Sequence, residues 1–135
     1  MKKIFYLILF TLSILTTQSC YKDVGPIDEG GDAPAEGISF AQHIQPIFNS
    51  QCTSCHGNSG NLSLEAGQSY NNLVNVNASG YSGKLVIPND SGNSILFKKI
   101  DGSGAYGSNM PLGRSLSATQ INTIQQWIDE GAQNN

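Results

Sequence analysis

Two cysteines and a histidine stand within five residues of one another, as Cys52-Thr53-Ser54-Cys55-His56. Two intervening residues place both thiols on one turn of backbone, and the imidazole follows directly. This spacing suits covalent attachment of a haem, in which the thiols add across two vinyl groups on one edge of the porphyrin and the adjacent imidazole ligates the iron. The motif therefore predicts one haem c, attached through Cys52 and Cys55, with His56 as the proximal iron ligand.

Three other interpretations of the motif are weaker. A zinc site needs two further ligands, of which only His43 is available, and adjacent Cys55 and His56 rarely bind one ion together. A thioredoxin-like redox pair needs a βαβ pattern, which the sequence lacks. A disulfide between Cys52 and Cys55 suits an exported protein but gives His56 no role.

The sixth iron ligand is a choice between two side chains. Met110 is the only methionine besides Met1, and it follows a glycine-rich loop and precedes Pro111. His43 is the only other imidazole, but on a helical segment it would lie roughly 15–20 Å from His56, at about 1.5 Å per residue. We therefore expect Met110 as the distal ligand, with His43 and an open position as alternatives. Otherwise a lone methionine is a core-filling side chain.

The N-terminus has the pattern of an export signal. Two lysines precede a short apolar run at residues 4–15, which is too short to span a bilayer comfortably, and small polar residues lead to Cys20. Residues 17–20, Thr-Gln-Ser-Cys, resemble the lipobox of bacterial lipoproteins, although a leucine is usual where the threonine stands. Cys20 is also the cysteine left over from the haem-attachment pair.

We accordingly expect residues 1–19 to be a lipoprotein signal peptide and Cys20 to be lipidated. Acyl chains on Cys20 would hold the protein on the extracytoplasmic side of a bacterial membrane, facing the periplasm or the cell surface. Cleavage to a soluble exported form is the alternative.

One folded domain is expected after this anchor. Residues 20–37 contain two prolines, four glycines and five acids without apolar periodicity, which is typical of a flexible tether. Residues 38–135 form the predicted domain, and their acidic and basic side chains nearly balance, which argues against a nucleic-acid partner. Lys98 and Lys99 are expected on a solvated helix face, with docking to an acidic redox partner as the alternative.

Hydrophobic periodicity predicts an all-α fold of short helices and long loops. The first helix is expected to begin at a capping box of Ser39 and Gln42 and to be kinked or broken by Pro46. A second short helix is expected near residues 65–74.

Two further helices are expected toward the C-terminus. Asp90 or Ser91 would cap a helix carrying the apolar side chains of residues 95–100. The clearest helix begins at a capping box headed by Ser117 and ends at Gly131. Its apolar stripe consists of Ile121, Ile124, Trp127 and Ile128.

The segment F-x-x-H-I-x-P-I-F-x-x-x-C-x-x-C-H-G, which runs from Phe40 to Gly57, resembles monohaem class I cytochrome c domains. It is most similar to the version common in planctomycetes and Bacteroidetes. Met110-Pro111 and a terminal helix with Trp127 and Ile128 extend the resemblance over residues 38–132. The stretch between the attachment motif and residue 88 matches less closely.

This resemblance implies an all-α cytochrome c fold of three to five short helices around one covalent haem. The first and last helices would cross beside the haem. Carried over to this sequence, Cys52 and Cys55 are the attachment residues, His56 is the proximal ligand and Met110 is the distal ligand.

The expected function is single-electron transfer outside the cytoplasm, between donor and acceptor proteins of a respiratory or dehydrogenase-linked chain. A ligand-binding or sensory haem domain is the alternative, and it would need an open sixth position. We do not expect an enzyme, because the sequence has one haem motif and no nearby acid–base pair.

Overall fold

The computed structural model describes residues 37–57 and 62–135. A π-helical turn at Phe40–Ile44 leads directly into α1 (Gln45–Gln51), followed by α2 (Ser69–Leu73), α3 (Ile95–Ile100) and α4 (Ala118–Asp129). These residues contain no β-strand, and their only β-type pairings are two isolated bridges. The prediction of a helical chain with long loops is confirmed for this part of the molecule.

Pro46 shapes the start of the first helix. The N–H of Gln45 bonds to the carbonyl of Phe40, five residues back, and regular α-helix begins there, with Pro46 in its first turn. Proline lacks an N–H and its ring crowds the carbonyl of the residue four positions back, so a regular α-helical turn directly before it is disfavoured. The predicted break at Pro46 is therefore present as a wider helical turn that precedes it.

The predicted capping box at Ser39 is correct in one half and wrong in the other. Ser39 Oγ accepts the N–H of Gln42 at 3.3 Å, as expected. The Ser39 N–H donates instead to His43 Nδ1 at 2.9 Å. The imidazole thus has the role predicted for the Gln42 side chain, because His43 lies four residues after Ser39, one turn along the helix.

Helix α4 begins and ends with side-chain and backbone caps. Ser117 and Gln120 form the complete capping box that the sequence predicts. At the C-terminal end, Gly131 has a φ of +100°, and the N–H groups of Gly131 and Ala132 bond back to Ile128 and Trp127 in a Schellman motif. A Cβ on Gly131 would lie 3.1 Å from Gln133 Nε2, so conformation and space both favour glycine here.

The first helical segment packs against α4 through aromatic rings. Phe40 lies 5.2 Å from Trp127 and 5.3 Å from Tyr70 between ring centroids. The buried Trp127 donates its indole N–H to the carbonyl of Gln133 at 2.9 Å. The first and last helical segments are therefore neighbours in the core.

Hydrogen bonds reinforce this contact between residues 38–41 and the C-terminal segment. The N–H of Ile38 donates to Glu130 Oε2 at 2.8 Å. The N–H groups of Phe40 and Ala41 donate to the side-chain and main-chain oxygens of Asn135 at 2.8 and 2.9 Å. The orphan donors at a helix start thus find acceptors on the C-terminal segment.

Helices α2 and α3 differ from the sequence prediction in detail. Helix α2 is shorter than the predicted 65–74, because residues 66–68 form a turn before it. The N-cap of α3 is Ser94, so the predicted cap at Asp90 or Ser91 is wrong. Ser91 instead donates to Asp129 on α4, and Ser94 Oγ accepts the N–H of Ile87 at 2.8 Å.

Within residues 37–57 and 62–135, no helix combines the length and apolar character needed to cross a membrane. The predicted signal peptide, Cys20 and all but the last residue of the tether lie outside the described residues.

Trp127→Ala tests the aromatic contact of α4 with Phe40 and Tyr70. We expect the substitution to lower the free energy of unfolding by about 3–5 kcal/mol, because it leaves a large cavity beside Phe40 and Tyr70. Urea denaturation measures the change. Asn122→Ala, on the exposed face of the same helix, is the matched control and should shift stability by no more than about 0.5 kcal/mol. Equal effects of the two substitutions would contradict this placement of Trp127.

Candidate functional site

The cysteines and histidine of the motif lie on one tight turn at the end of α1. The carbonyl of Phe48 accepts the N–H groups of both Cys52 and Thr53, which ends the helix. The carbonyl of Cys52 then accepts the N–H groups of Cys55 at 3.1 Å and His56 at 2.9 Å. This double acceptance folds the five residues into one turn, as the spacing predicts.

A glycine directly after the turn allows the chain to leave it. A Cβ on Gly57 would lie 3.0 Å from the carbonyl oxygen of Thr53 and 3.1 Å from Glu65 Oε1. Both distances are shorter than most Cβ contacts, so a larger residue would displace the turn or the carboxylate.

A buried polar network holds the segment after the motif against α1. The N–H of Leu64 donates to the carbonyl of His56 at 2.7 Å, and the carbonyl of Leu64 accepts from Gln45 Nε2 at 3.1 Å. Ser69 Oγ donates in turn to Gln45 Oε1. Because buried polar groups are costly without partners, this network specifies how the segment after the motif lies on the helix.

The turn forms part of the wall of a cavity of about 540 Å³. Cys52, Cys55 and His56 line it together with α2, α3 and the loop at residues 76–81. Most of the wall is apolar. Among its apolar residues are Leu64, Leu73, Leu85, Leu96, Ile100 and Leu116.

Met110 lines the same cavity, although it stands far along the chain from the motif. Its N–H donates to the carbonyl of Lys99 at 2.7 Å, which attaches the loop before it to the end of α3. The side chain is half-buried and packs against the hydrophobic core. The structure therefore brings all four side chains predicted to hold the cofactor to one cavity.

His43 does not line this cavity. It is half-buried near the start of the first helical segment, where its Nδ1 accepts the backbone N–H of Ser39. In the described part of the chain, no three side chains of His, Cys, Asp or Glu are grouped so that they could hold a metal ion. A zinc site built from the motif and His43 therefore gains no support.

The two thiols have different surroundings. Cys52 is half-buried and Cys55 is exposed, and both are free thiols. Burial raises the pKa of the Cys52 thiol above its ordinary value, the Arg114 guanidinium opposes this rise, and the nearby Cys55 adds to it. Arg114 is held beside the motif by a bond from Nη2 to the carbonyl of Gln51 at 2.9 Å. Cys52 is therefore a protonated thiol at neutral pH.

Lys99 is a site residue that the sequence analysis placed on a solvated helix face. Its Nζ donates to the carbonyls of Tyr106 at 2.7 Å and Ser108 at 3.3 Å, and to the hydroxyl of Tyr81 at 2.9 Å. Its neighbour Lys98 pairs with Asp101 at 3.3 Å, on the helix surface. No local sequence pattern distinguishes the two lysines, because the oxygens that Lys99 binds come from loops outside α3.

The sequence also did not identify which residues between the motif and residue 88 line the cavity. Leu62, Leu64, Leu73, Val76 and Leu85 line the cavity from this stretch. The available signal was that large apolar residues are sparse in an otherwise polar, glycine-rich segment. Without a helical or strand period, that signal does not show which way each side chain points.

No protein family, no curated protein and no solved structure matches this chain.

The different surroundings of the two thiols predict different reactivity in protein made without haem. We expect iodoacetamide to modify Cys52 roughly ten-fold more slowly than Cys55 at neutral pH, because Cys52 is less exposed and its pKa is raised. Peptide mass spectrometry of a time course measures both rates. The Cys52 rate should continue to rise with pH beyond the range in which an ordinary thiol levels off, since deprotonation occurs later.

Arg114→Met provides the internal check. Removing the guanidinium should slow modification of Cys52 further and leave Cys55 nearly unchanged, because Arg114 lowers the pKa of Cys52. A variant in which Cys52 reacts as fast as before, or faster, would contradict this electrostatic arrangement.

Proposed function

We propose that this chain is a small c-type cytochrome that transfers single electrons through one covalently attached haem. Cys52 and Cys55 would form the two thioether links, and His56 and Met110 would be the axial ligands. One observation carries the proposal: two thiols, an imidazole and a thioether, the last from a distant loop, all line one apolar cavity of about 540 Å³.

The residues at this cavity fit a haem in chemistry and size. Attachment needs two free thiols and an imidazole at close spacing, and one turn at the end of α1 presents all three. Six leucines and two isoleucines make most of the lining surface apolar, which suits the apolar face of a porphyrin. Its volume lies within the range of about 300–1,000 Å³ that is usual for sites enclosing small molecules and cofactors.

The chain's own residues would set the properties of the redox centre. A bound haem would supply the one-electron couple. Thioether links through Cys52 and Cys55 would keep the group attached in an exported protein, and a ring nitrogen of His56 would coordinate the iron. The soft thioether of Met110 favours ferrous iron and raises the reduction potential.

Electron transfer is favoured over ligand binding by the position of Met110. With His56 and Met110 both bound, no axial position stays open for oxygen, peroxide or a signalling gas. Where the apolar wall covers the haem it would keep water away, so less solvent would reorganise there during a change of redox state. A ligand-binding or sensory haem domain would instead require Met110 to remain off the iron.

We further propose that the protein works at the outer side of a bacterial membrane, anchored through acyl chains on Cys20. Support comes from the export-like N-terminus and the lipobox-like residues 17–20. A tether of the composition seen at residues 20–37 would let the domain meet a donor and an acceptor protein. Cys20→Ser should release the exported protein from membranes to the soluble fraction, as measured by fractionation and immunoblotting.

The matched histidine variants His56→Ala and His43→Ala test the cofactor site. Exported wild-type protein, made with the haem-maturation system, should carry one covalent haem by mass spectrometry and show a reduced c-type spectrum. We expect His56→Ala to lose the low-spin spectrum. His43→Ala should keep it, because His43 lies outside the cavity. Free thiols at Cys52 and Cys55 in the exported wild-type protein would refute the proposal.

Met110→Ala tests the distal ligand and separates electron transfer from ligand binding. In the oxidised wild-type protein we expect a near-infrared sulfur-to-iron band and, after reduction, little carbon monoxide binding. The variant should lose the band and bind carbon monoxide readily, because its sixth position is open. If wild type and variant share one spectrum and both bind carbon monoxide, the ligand-binding alternative is correct.

A further inference from the structure

We propose that Lys99 is a positioning residue for Met110, holding the loop before this methionine against the cavity. This inference rests on the proposed function, because it concerns how the distal ligand is kept in place. We call the three residues Tyr81, Lys99 and Tyr106 the clasp. The clasp joins two loops: residues 77–83, several of which line the cavity, and residues 102–109, which lead into Met110.

The ammonium of Lys99 is the centre of the clasp. It donates to the carbonyls of Tyr106 at 2.7 Å and Ser108 at 3.3 Å, both on the loop before Met110. It also donates to the hydroxyl of Tyr81 at 2.9 Å, on the other loop. The three donors of a lysine ammonium are thus directed to three oxygens, two on one loop and one on the other.

The backbone of the same residue holds Met110 directly. The carbonyl of Lys99 accepts the N–H of Met110 at 2.7 Å, and Ser108, two residues earlier, is held by the ammonium. Lys99 therefore restrains the loop at its middle and at its end. Because α3 carries Lys99 and also lines the cavity, this restraint sets where the thioether lies relative to the wall.

The loop at residues 102–109 has few other ties to the rest of the domain. Apart from Tyr106 its residues are exposed, and three of its glycines have positive φ. Its other hydrogen bonds are local: Gly104 to Asn109, Gly107 to Gly104, and Ser103 to the preceding Asp101. A loop with only local bonds opens at little cost, so the ammonium carries much of its attachment.

The two tyrosine rings of the clasp pack against each other. Their ring centroids are 5.2 Å apart in an edge-to-face arrangement with an interplanar angle of 79°. Tyr81 is 42% exposed, so the aromatic pair alone buries limited apolar surface. The contact with Lys99 connects this pair to α3.

Loss of the ammonium should raise the population in which Met110 is away from the iron. An external ligand binds only that open population, so its apparent affinity rises in proportion to the open fraction. The proposal therefore predicts a change in ligand affinity without any change in Cys52, Cys55, His56 or Met110.

The experiment compares Lys99→Met, Lys99→Arg and Lys98→Met as oxidised holoproteins titrated with imidazole. Methionine keeps the apolar stem but removes the donors, and we expect imidazole to bind roughly ten-fold more tightly, with a weaker near-infrared sulfur-to-iron band. Arginine retains several donors and should remain within about two-fold of wild type. Lys98→Met removes an equal charge from the same helix, and it should also remain within about two-fold of wild type.

A second readout keeps this test separate from the proposed function. Amide hydrogen exchange at Met110, whose N–H bonds to the Lys99 carbonyl, should be about ten-fold faster in Lys99→Met than in Lys98→Met, with or without haem. If wild type carries haem but Lys99→Met matches Lys98→Met in affinity and exchange, the clasp proposal is wrong. If wild type carries no haem, the proposed function fails, and the exchange comparison alone decides whether the clasp holds the loop.

Discussion

The carbonyl of Cys52 makes the interaction on which the rest of the site depends. It accepts the N–H groups of both Cys55 and His56, so the two thiols and the imidazole come from one turn and move as one unit. That turn is placed by the end of α1, whose Phe48 carbonyl accepts the N–H of Cys52. Without this turn the motif would be three reactive side chains with no common geometry.

The position of α1 depends in turn on the contact of the first helical segment with α4 and the C-terminal residues. Phe40 and Phe48 belong to the buried cluster around Trp127, and the N–H groups at the start of the first helical segment bond to Asn135 and Glu130. A chain of this size has limited apolar surface to bury. Here one buried cluster contains both the aromatic side chains around Trp127 and several leucines of the cavity wall, so the core and the cavity share residues.

Local rules account for the parts of this architecture that the sequence could predict. The capping box at Ser117, the end of α4 at Gly131 and the turn at Cys52 follow from residues a few positions apart, and the structure has all three. The errors have two causes. Ser94 replaces Ser91 as a cap because Ser91 is engaged by Asp129 on a distant helix, a tertiary contact that a single sequence does not display. The second error is local: the Ser39 N–H bonds to His43, four residues along the chain, and not to the Gln42 side chain.

The two sides of the cavity are held by different kinds of interaction, and this difference has a functional consequence. His56 is fixed by backbone bonds within a helix-ending turn and by the buried Gln45 network behind it. Met110 lies on a loop whose main attachment is one lysine ammonium and one backbone bond. In the proposed haem site, His56 would thus be held mainly by the fold, whereas Met110 would depend on one side chain and one backbone bond. The sixth position would then be the adjustable one, and the clasp would act on it without touching the proposed attachment residues.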